Sequence, residues 1–323
     1  MAYTIDVHLS PEEVRTQMRT DALLGLQGAE KSIPPVWFYD ERGSRLFEEI
    51  TQLPEYYPTR AERALLEVHG LAIAELAKAD TLVELGAGAC DKTRVLLSAL
   101  QEAGTLTRYV PFDVSDEFLR SAAETLSAEF SAVDIHLVIG DFHHHLGEIP
   151  TDGRRLVAFL GGTIGNLDPA QRARFLFDLN CTMSSDDSLL LGTDLVKDPA
   201  RLVAAYDDAA GVTAEFNRNV LHVLNQQLGG NFDPDRFRHV ALWNDDENWI
   251  EMRLRADQAC EVSLRDASIS VRFEEGEDLL TEISAKFTPD RVQAELEQAG
   301  FVIEEMWGAA DGEFLLTLAH PYC

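Results

Sequence analysis

The sequence has few basic residues: Lys and Arg total 27 against 56 Asp and Glu, and the formal net charge is −29. A surface this acidic repels phosphate backbones and anionic lipids, so we expect neither nucleic acid nor a membrane as a partner. No apolar run is long enough to span a bilayer, and the first ten residues lack a basic-then-apolar leader. These absences favour a cytoplasmic protein, and a monomer is expected.

Cysteine is also scarce. The four cysteines, at positions 90, 181, 260 and 323, form no CxxC pair and no Cys/His cluster at zinc spacing. This spacing argues against a disulfide framework and suits a reducing compartment. The tract His143–His145 resembles a metal site, but adjacent side chains do not converge easily on one ion. We therefore expect a solvated loop there and no bound metal.

Short apolar strands alternate with helical runs between residues 60 and 196. The strands are predicted at 81–85, 109–112, 135–139, 156–160 and 188–191. This alternation predicts an α/β fold in which a parallel sheet is covered on both faces. A final hairpin, predicted at 301–307 and 314–319, suits a methyltransferase-type Rossmann sheet better than a dehydrogenase one.

A stretch of about 90 residues interrupts this pattern. It begins with a helix predicted over 199–228 and continues with four segments spaced like an antiparallel meander, 239–244, 249–255, 261–273 and 280–287. We therefore predict a nucleotide-binding domain, residues 61–196 and 287–323, and a second, α+β domain for the substrate, residues 1–60 and 197–286.

Three consecutive predicted strands end in residues that suit a nucleoside ligand. Gly86 and Gly88 follow the first strand, Asp113 ends the second, and Asp141 follows the third. The carboxyl ends of parallel strands share the edge where ligands bind, and glycine lets the backbone approach a ligand closely. Asp113 is placed to accept from both ribose hydroxyls and Asp141 from an adenine amino group, with Phe142 against the ring. Each aspartate could instead cap a turn or a helix.

The third glycine of a dinucleotide fingerprint is missing, because Asp91 stands at its position. A pyrophosphate is therefore disfavoured, and with it a dinucleotide oxidoreductase. S-adenosylmethionine contains no phosphate and needs no such glycine. Lys92 opens the next helix, where it could contact the methionine carboxylate of that cofactor or remain solvated.

The fourth strand ends in a glycine-rich loop, residues 160–166 (LGGTIGN). Such a loop can wrap closely around a small polar ligand. The amide of Asn166 can donate to a carboxylate and accept from an ammonium, as an amino acid would require. Alternatively, Asn166 could cap the helix that starts near Asp168.

Eight runs of the sequence carry a resemblance to a known family: 34–40 (PPVWFYD), 53–60 (LPEYYPTR), 83–88 (VELGAG), 159–167 (FLGGTIGNL), 192–197 (GTDLVK), 204–209 (AAYDDA), 216–219 (FNRN) and 280–284 (LTEIS). They resemble the bacterial histidine Nα-methyltransferases of ergothioneine biosynthesis, and the similarity extends over nearly the whole chain beyond the first dozen residues. The resemblance implies that S-adenosylmethionine is used to trimethylate the α-amine of L-histidine to hercynine.

The resemblance also implies roles for single residues. The cofactor would be held by Gly86, Lys92, Asp113, Asp141 and Phe142. The substrate carboxylate would be bound by Asn166 and Tyr206, and its amine would face Tyr39 and Gly161; catalysis would rest on alignment by Tyr39 and Asn166. The imidazole would be held by Tyr56, Glu282 and Ser284, with Met252 in its wall. The family often has small hydroxyl residues where this chain has Ala87, Ala89 and Cys90, a departure that bears on cofactor affinity.

The strand period of two independently places Glu282 and Ser284 on one face of the segment 280–287. A carboxylate beside a hydroxyl can bind an imidazole N–H. From spacing alone, a solvated strand face is the favoured alternative for Glu282 and a simple core position for Met252. Two other functions stay open from the residues: methylation of another amino acid or small amine, and a non-catalytic nucleotide-sensing module.

Overall fold

The computed structural model of the chain describes residues 3–88 and 92–322. Its strands are β1 (Tyr3–Val7), β2 (Lys31–Ser32), β3 (Thr81–Leu85), β4 (Arg108–Asp113), β5 (Asp134–Ile139), β6 (Arg155–Phe159), β7 (Ser188–Asp194), β8 (Phe237–Asn244), β9 (Trp249–Ala256), β10 (Cys260–Leu264), β11 (Ile269–Phe273), β12 (Asp278–Ala285), β13 (Phe301–Gly308) and β14 (Phe314–Pro321). Its α-helices are α1 (Pro11–Leu26), α2 (Glu41–Thr51), α3 (Pro58–Ala77), α4 (Thr93–Glu102), α5 (Asp116–Glu129), α6 (Pro169–Thr182), α7 (Pro199–Tyr206), α8 (Val212–Leu228) and α9 (Pro289–Gln298). Over these described ranges, no helix has both the length and the apolar character needed to cross a membrane.

The chain divides into two compact units. The first consists of Met1–Leu9, Pro58–Lys197 and Ala285–Cys323, and the second of Ser10–Tyr57 and Asp198–Ser284. The chain therefore passes from one unit to the other four times, after residues 9, 57, 197 and 284. The prediction that residues 1–60 all belong to the second domain is wrong at its start, because β1 pairs in parallel with β5 of the first unit.

The first unit is built on an eight-stranded sheet in the order β1-β5-β4-β3-β6-β7-β14-β13. The pairs from β5 to β7 are parallel, whereas β14 is antiparallel to both β7 and β13. All residues of β3, β6 and β7 are buried, as expected for parallel strands with helices on both faces. The predicted α/β fold and its closing antiparallel hairpin are confirmed.

The second unit contains a four-stranded sheet in the order β2-β12-β9-β8 and a separate hairpin of β10 and β11. The prediction of a single antiparallel meander is wrong. Strands β8 and β9 are antiparallel, but the segment 261–273 folds back on itself, and β12 pairs in parallel with β2. The N-terminal strand β2 thus occupies an edge that a meander would have given to one of its own strands.

The helix predicted over 199–228 is two helices, α7 and α8. Gly211, with φ +78°, precedes α8, and a left-handed residue cannot continue a right-handed helix. The carboxylate of Asp208 then accepts from the backbone N–H groups of Val212 (3.0 Å) and Thr213 (2.7 Å). This cap satisfies two of the donors that a helix start leaves unpaired.

Candidate functional site

The glycine loop after β3 forms an open cradle at the carboxyl edge of the first unit's sheet. Gly86 and Gly88 have φ values of +70° and +51°, in the left-handed region that favours glycine. A Cβ placed on either would meet no described atom within 4 Å, so there is room above the backbone for a ligand. The predicted departures Ala89 and Cys90 and the missing third glycine at Asp91 lie outside the described residues.

Asp113 anchors this loop. Its Oδ2 accepts from the Gly88 N–H at 3.0 Å, and its Oδ1 accepts from the Ser115 N–H at 2.9 Å. Burial raises the pKa of Asp113, although these backbone donors oppose the shift. The predicted alternative of a turn cap is therefore part of its role, yet each carboxylate oxygen retains a second lone pair for a ligand hydroxyl.

Asp141 and Phe142 follow β5 in the same sheet. Asp141 is buried, and its Oδ1 accepts from the His143 N–H at 2.9 Å. The half-buried ring of Phe142 packs edge-on against Phe159 (5.4 Å between centroids) and Phe175 (5.6 Å). This packing fixes Phe142 beside the acid with which it was predicted to act.

Lys92 directly precedes α4, as predicted, but it is not a solvated lysine. Its ammonium is paired with the carboxylate of Glu62, a residue of α3 with no exposed surface. Glu62 also accepts from the Gly161 N–H, at 2.8 Å to Oε1 and 3.0 Å to Oε2. One buried carboxylate thus joins the lysine predicted for the cofactor to the first glycine of the loop predicted for the substrate.

Glu84 is a second buried carboxylate close to this pair. Its Oε2 accepts from the hydroxyls of Tyr109 (2.8 Å) and Thr93. Burial raises the pKa of Glu84 to about 7; the two hydroxyls and the Lys92 charge oppose that rise, and the Glu62 charge adds to it. At neutral pH this group is therefore divided between its protonated and ionised forms.

The loop after β6 makes a tight turn before α6. Gly161 and Gly162 have φ values of +77° and +68°, and a 3-10 turn then runs from Thr163 to Asn166. The side chain of Asp168 caps α6, accepting from the N–H groups of residues 170 and 171 at 2.8 Å each. The alternative that Asn166 caps this helix is therefore wrong, and its half-buried amide is not needed there.

These residues of the first unit fit S-adenosylmethionine. The cradle at Gly86 and Gly88 has space for the ligand, Asp113 supplies acceptors suited to hydroxyls, and Lys92 supplies a positive charge suited to a carboxylate. The histidine tract nearby differs in character, since His143 and His144 are exposed. Among the residues described, no group of three His, Cys, Asp or Glu side chains is arranged to hold a metal ion.

In the second unit, the structure brings Tyr206 and Ser284 together. The Tyr206 hydroxyl lies 2.7 Å from the Ser284 Oγ, and both side chains are buried. Glu282 lies two residues earlier on β12 and is only 8% exposed, so the alternative of a solvated strand face is wrong. Glu282 and Ser284 thus both lie on the buried face of β12.

A buried hydrogen-bonded chain supports the backbone at Tyr206. His239 Nε2 lies 2.8 Å from the Tyr206 carbonyl oxygen, and its Nδ1 lies 2.8 Å from the Asn217 Nδ2. The carbonyl can only accept, so Nε2 carries the proton and Nδ1 accepts from Asn217. Burial lowers the pKa of His239, which keeps this ring neutral. The Thr281 hydroxyl lies 2.7 Å from the Asn217 Oδ1 and 2.8 Å from the Met252 carbonyl oxygen, which ties β12 and β9 into the chain.

Aromatic rings connect the predicted tyrosines of the second unit. The Tyr56 ring lies edge-on to that of Tyr206, with 6.1 Å between centroids, and to that of Phe47, at 6.2 Å. Tyr39 packs edge-on against Phe47 (5.7 Å) and Phe216 (5.6 Å). Tyr39, Tyr56 and Tyr206 therefore belong to one continuous aromatic cluster.

Asn219 fixes the segment that carries Tyr39. Its Nδ2 donates to the Phe38 carbonyl oxygen (3.1 Å) and to the Asp40 Oδ1 (2.7 Å), and Asn219 has no exposed surface. Asp40 in turn caps α2 by accepting from the Gly43 N–H at 2.8 Å. The backbone on both sides of Tyr39 is thus held by buried hydrogen bonds, which orient its side chain.

Sequence reasoning missed Glu62, Glu84 and the rings of Phe47 and Phe216. A signal for Glu62 exists in the sequence, because it occupies a position of the α3 stripe that otherwise holds buried apolar residues such as Leu65 and Leu66. Glu84 likewise interrupts a fully buried strand. In both cases the signal is a charged residue at a position where the sequence pattern predicts an apolar side chain.

The sequence is similar to those of known proteins over nearly its whole length. Residues 18–321 match the family of histidine-specific, SAM-dependent methyltransferases. The chain is 53% identical over 319 residues to the histidine N-alpha-methyltransferase of Mycolicibacterium smegmatis, and 52% identical over 319 residues to that of Mycobacterium tuberculosis; each alignment covers 99% of both chains. A solved S-adenosylmethionine-dependent methyltransferase from Clostridium acetobutylicum aligns with 86% of this chain and 99% of its own, at 13% identity and a TM-score of 0.49. The chain belongs to the histidine-specific, S-adenosylmethionine-dependent methyltransferase family.

Proposed function

We propose that this enzyme transfers three methyl groups from S-adenosylmethionine to the α-amine of L-histidine, yielding hercynine in the first step of ergothioneine synthesis. Membership of the family and 53% identity to a histidine N-alpha-methyltransferase support this proposal. The structural observation that carries it is the buried polar group on β12, where Ser284 meets Tyr206 at 2.7 Å and Glu282 lies two residues away. A buried carboxylate beside hydroxyls can bind an imidazole N–H, a donor that an apolar side chain does not offer.

In the first unit, the residues for the methyl donor are proposed as Gly86, Lys92, Asp113, Asp141 and Phe142. When bound, S-adenosylmethionine supplies a methyl group on a positively charged sulfur, which makes the leaving group good from the outset. Asp113 would accept from the ribose hydroxyls and Lys92 would donate to the methionine carboxylate. Gly161 and Asn166 of the same unit are proposed to face the amine and the carboxylate of the amino acid.

In the second unit, Tyr206 is proposed to bind the substrate carboxylate and Tyr39 to face the amine. Tyr56, Glu282 and Ser284 are proposed to hold the imidazole, with Met252 in the wall. The buried network beneath Tyr206 supports such a role, because it fixes the residue before any ligand arrives.

The chemistry requires alignment more than a strong base. The pKa of an amino acid's α-ammonium lies above physiological pH, so a minor fraction of the amine is already neutral there and can accept a methyl group. Tyr39 and Asn166 would orient the amine lone pair, and the proton would leave through water or a tyrosine oxygen. If Tyr39→Phe abolishes transfer while both ligand affinities hold, then Tyr39 has a larger chemical role than orientation.

The test is to incubate the purified enzyme with S-adenosylmethionine and histidine and to follow product masses. We expect products carrying one, two and finally three added methyl groups. Parallel incubations with tryptophan and tyrosine test the closest alternative, a methyltransferase for another amino acid, and we expect little turnover of either. A product that stops at one methyl group would contradict trimethylation, and faster turnover of tryptophan would contradict histidine as the substrate. The cytoplasmic location, the monomeric state and the absence of a metal stay predictions.

A further inference from the structure

The Glu62 carboxylate contacts residues outside its own helix. It lies within α3, has no exposed surface, and pairs with the Lys92 ammonium while accepting from the Gly161 N–H. A buried carboxylate is costly unless donors compensate it, and an apolar residue would complete the buried stripe of α3 without that cost. The position is thus occupied by a charge whose partners lie on two other segments, the start of α4 and the loop after β6.

The neighbouring strand leaves space for this carboxylate. A Cβ on Gly192 of β7 would lie 2.1 Å from the Glu62 Oε1 and 3.2 Å from the Phe314 Cε1. Gly192 is not among the glycines with positive φ, so its backbone conformation does not require glycine. The Glu62 carboxylate is the group that approaches this position most closely, and the Phe314 ring crowds it less.

We propose that Glu62 is a positioning residue for the methyl donor: it holds the Lys92 ammonium toward the donor's carboxylate and fixes the Gly161 amide of the acceptor loop. The inference rests on the proposed function, because that proposal places Lys92 at the carboxylate. Glu62 itself would not touch the ligand.

The chemistry of the ammonium explains how one lysine can serve two carboxylates. An ammonium has three N–H donors, and pairing with Glu62 leaves donors available for a second acceptor. A Cβ on Gly161 would lie 3.4 Å from the Lys92 Nζ, so the ammonium sits directly beside the loop that Glu62 also holds. Without Glu62, the flexible lysine stem would lose the carboxylate with which its ammonium is paired.

The isosteric substitution Glu62→Gln removes the charge that pairs with Lys92. Either orientation of the amide lets its oxygen accept from the Gly161 N–H, but a neutral amide holds an ammonium more weakly than a carboxylate does. We expect Lys92 to swing away and the binding of S-adenosylhomocysteine, which carries the amino-acid carboxylate, to weaken about tenfold. Binding of 5′-methylthioadenosine, which lacks that carboxylate, should change less than about twofold.

The experiment measures both dissociation constants by calorimetry for the wild type and four variants. Gly192→Ala should displace the Glu62 carboxylate and reproduce the selective loss without changing any charge. Lys92→Met should show the same selectivity, because it removes the contact itself. Glu67→Gln, which breaks an exposed pair with Arg63 on the same helix, should change neither constant and serves as the matched control.

Three outcomes would overturn the proposal. Equal weakening of both ligands by Glu62→Gln would mean a general structural role, and unchanged or tighter binding of S-adenosylhomocysteine would mean that Glu62 does not position Lys92. A Lys92→Met variant without selectivity would remove the carboxylate contact on which the proposal stands. If the wild type fails to methylate histidine, the proposed function is contradicted instead. The comparison of S-adenosylhomocysteine with 5′-methylthioadenosine would still test the role of Glu62.

Discussion

The hydroxyl of Tyr109 donates to the carboxylate of Glu84 at 2.8 Å, and both side chains lie in the interior of the first unit's sheet. Two adjacent strands, β3 and β4, are thereby joined through side chains as well as through their backbones. The same carboxylate also accepts from Thr93, the first residue of α4. Strand β3 and helix α4, on either side of the glycine loop, are thus linked through one titratable group, the Glu84 carboxylate.

The titration of Glu84 makes stability depend on pH. Its pKa rises from 4.5 to about 7 in the folded chain, so folding favours the protonated form. The free energy of unfolding is therefore greater below pH 4.5 than at high pH, by about 3 kcal/mol. This difference is lost as the pH rises through 7. We expect the free energy of unfolding of the wild type, relative to Glu84→Gln, to fall by about 2.5 kcal/mol between pH 5 and pH 8. Urea titrations at each pH measure it, and parallel profiles for the two proteins would contradict the assignment.

Asp113→Asn should weaken cofactor binding. The amide group can replace only one of the two acceptors that hold the Gly88 and Ser115 N–H groups, and it removes the charge proposed for the ribose hydroxyls. We expect S-adenosylhomocysteine to bind at least about tenfold more weakly in calorimetry. Asp116→Asn, which breaks only a surface pair with Arg120, is the control. Equal affinities for the wild type and Asp113→Asn would rule out this role.

Glu282→Gln should act on histidine rather than on the cofactor. If the carboxylate binds the imidazole equally in the ground and transition states, its loss raises KM by about tenfold and leaves kcat within about threefold. The preference for histidine over tryptophan should narrow in the same assay. Glu261→Gln alters an exposed glutamate of β10 that accepts from Ser270, and we expect it to have no effect. An unchanged KM in Glu282→Gln would remove this residue from the substrate site.

Removal of one partner of the pair Arg155–Asp187 should be among the most destabilising single substitutions in the first unit. Both side chains are buried, and the Arg155 Nη2 lies 2.6 Å from the Asp187 Oδ2. Burial acts to raise the pKa of Asp187, but the Arg155 bonds prevail and hold it below its usual value. Arg155→Met would strand this carboxylate, and we expect a loss of about 3–5 kcal/mol in the free energy of unfolding.

The exposed pair Arg108–Asp134 supplies the comparison for this prediction. Its Nε–Oδ2 distance is 3.2 Å and both groups reach solvent, so Arg108→Met should cost less than about 1 kcal/mol. The double variant Arg155→Met with Asp187→Asn should recover part of the loss, because no charge is left stranded. Equal losses for Arg155→Met and Arg108→Met in urea titrations would contradict the argument.

Much of the first unit could be predicted from the sequence. Its inner strands are buried on both faces, so they appear as continuous apolar runs, and residues at their ends fall at one edge of the sheet. By contrast, β1 has only five residues of mixed exposure and pairs with a strand about 130 positions later. Short segments with distant partners carry no local pattern, and β2, with two residues, is the extreme case.

The site could be predicted in part for the same reason. Asp113 ends a strand and Lys92 directly precedes a helix, and these positions alone suggest contact with a ligand. Glu62 and Gly161 are 99 positions apart in the sequence, and no local pattern around either residue predicts their contact. Likewise, no period in the sequence places Tyr206 beside Ser284, 78 positions away. Such pairs are set by tertiary packing, which a local pattern does not contain.

The four passages of the chain between its units set an order for biosynthesis. The last residue of the second unit, Ser284, leaves the ribosome before the final segment of the first, so the second unit is complete while the first is not. Strand β14 lies inside the sheet, between β7 and β13. Until β14 is synthesised, β7 is an open edge of the sheet, and all seven of its residues are ones that the folded unit buries. The nascent protein therefore exposes this edge to aggregation until β14 has emerged, and a chain truncated before β14 keeps it exposed.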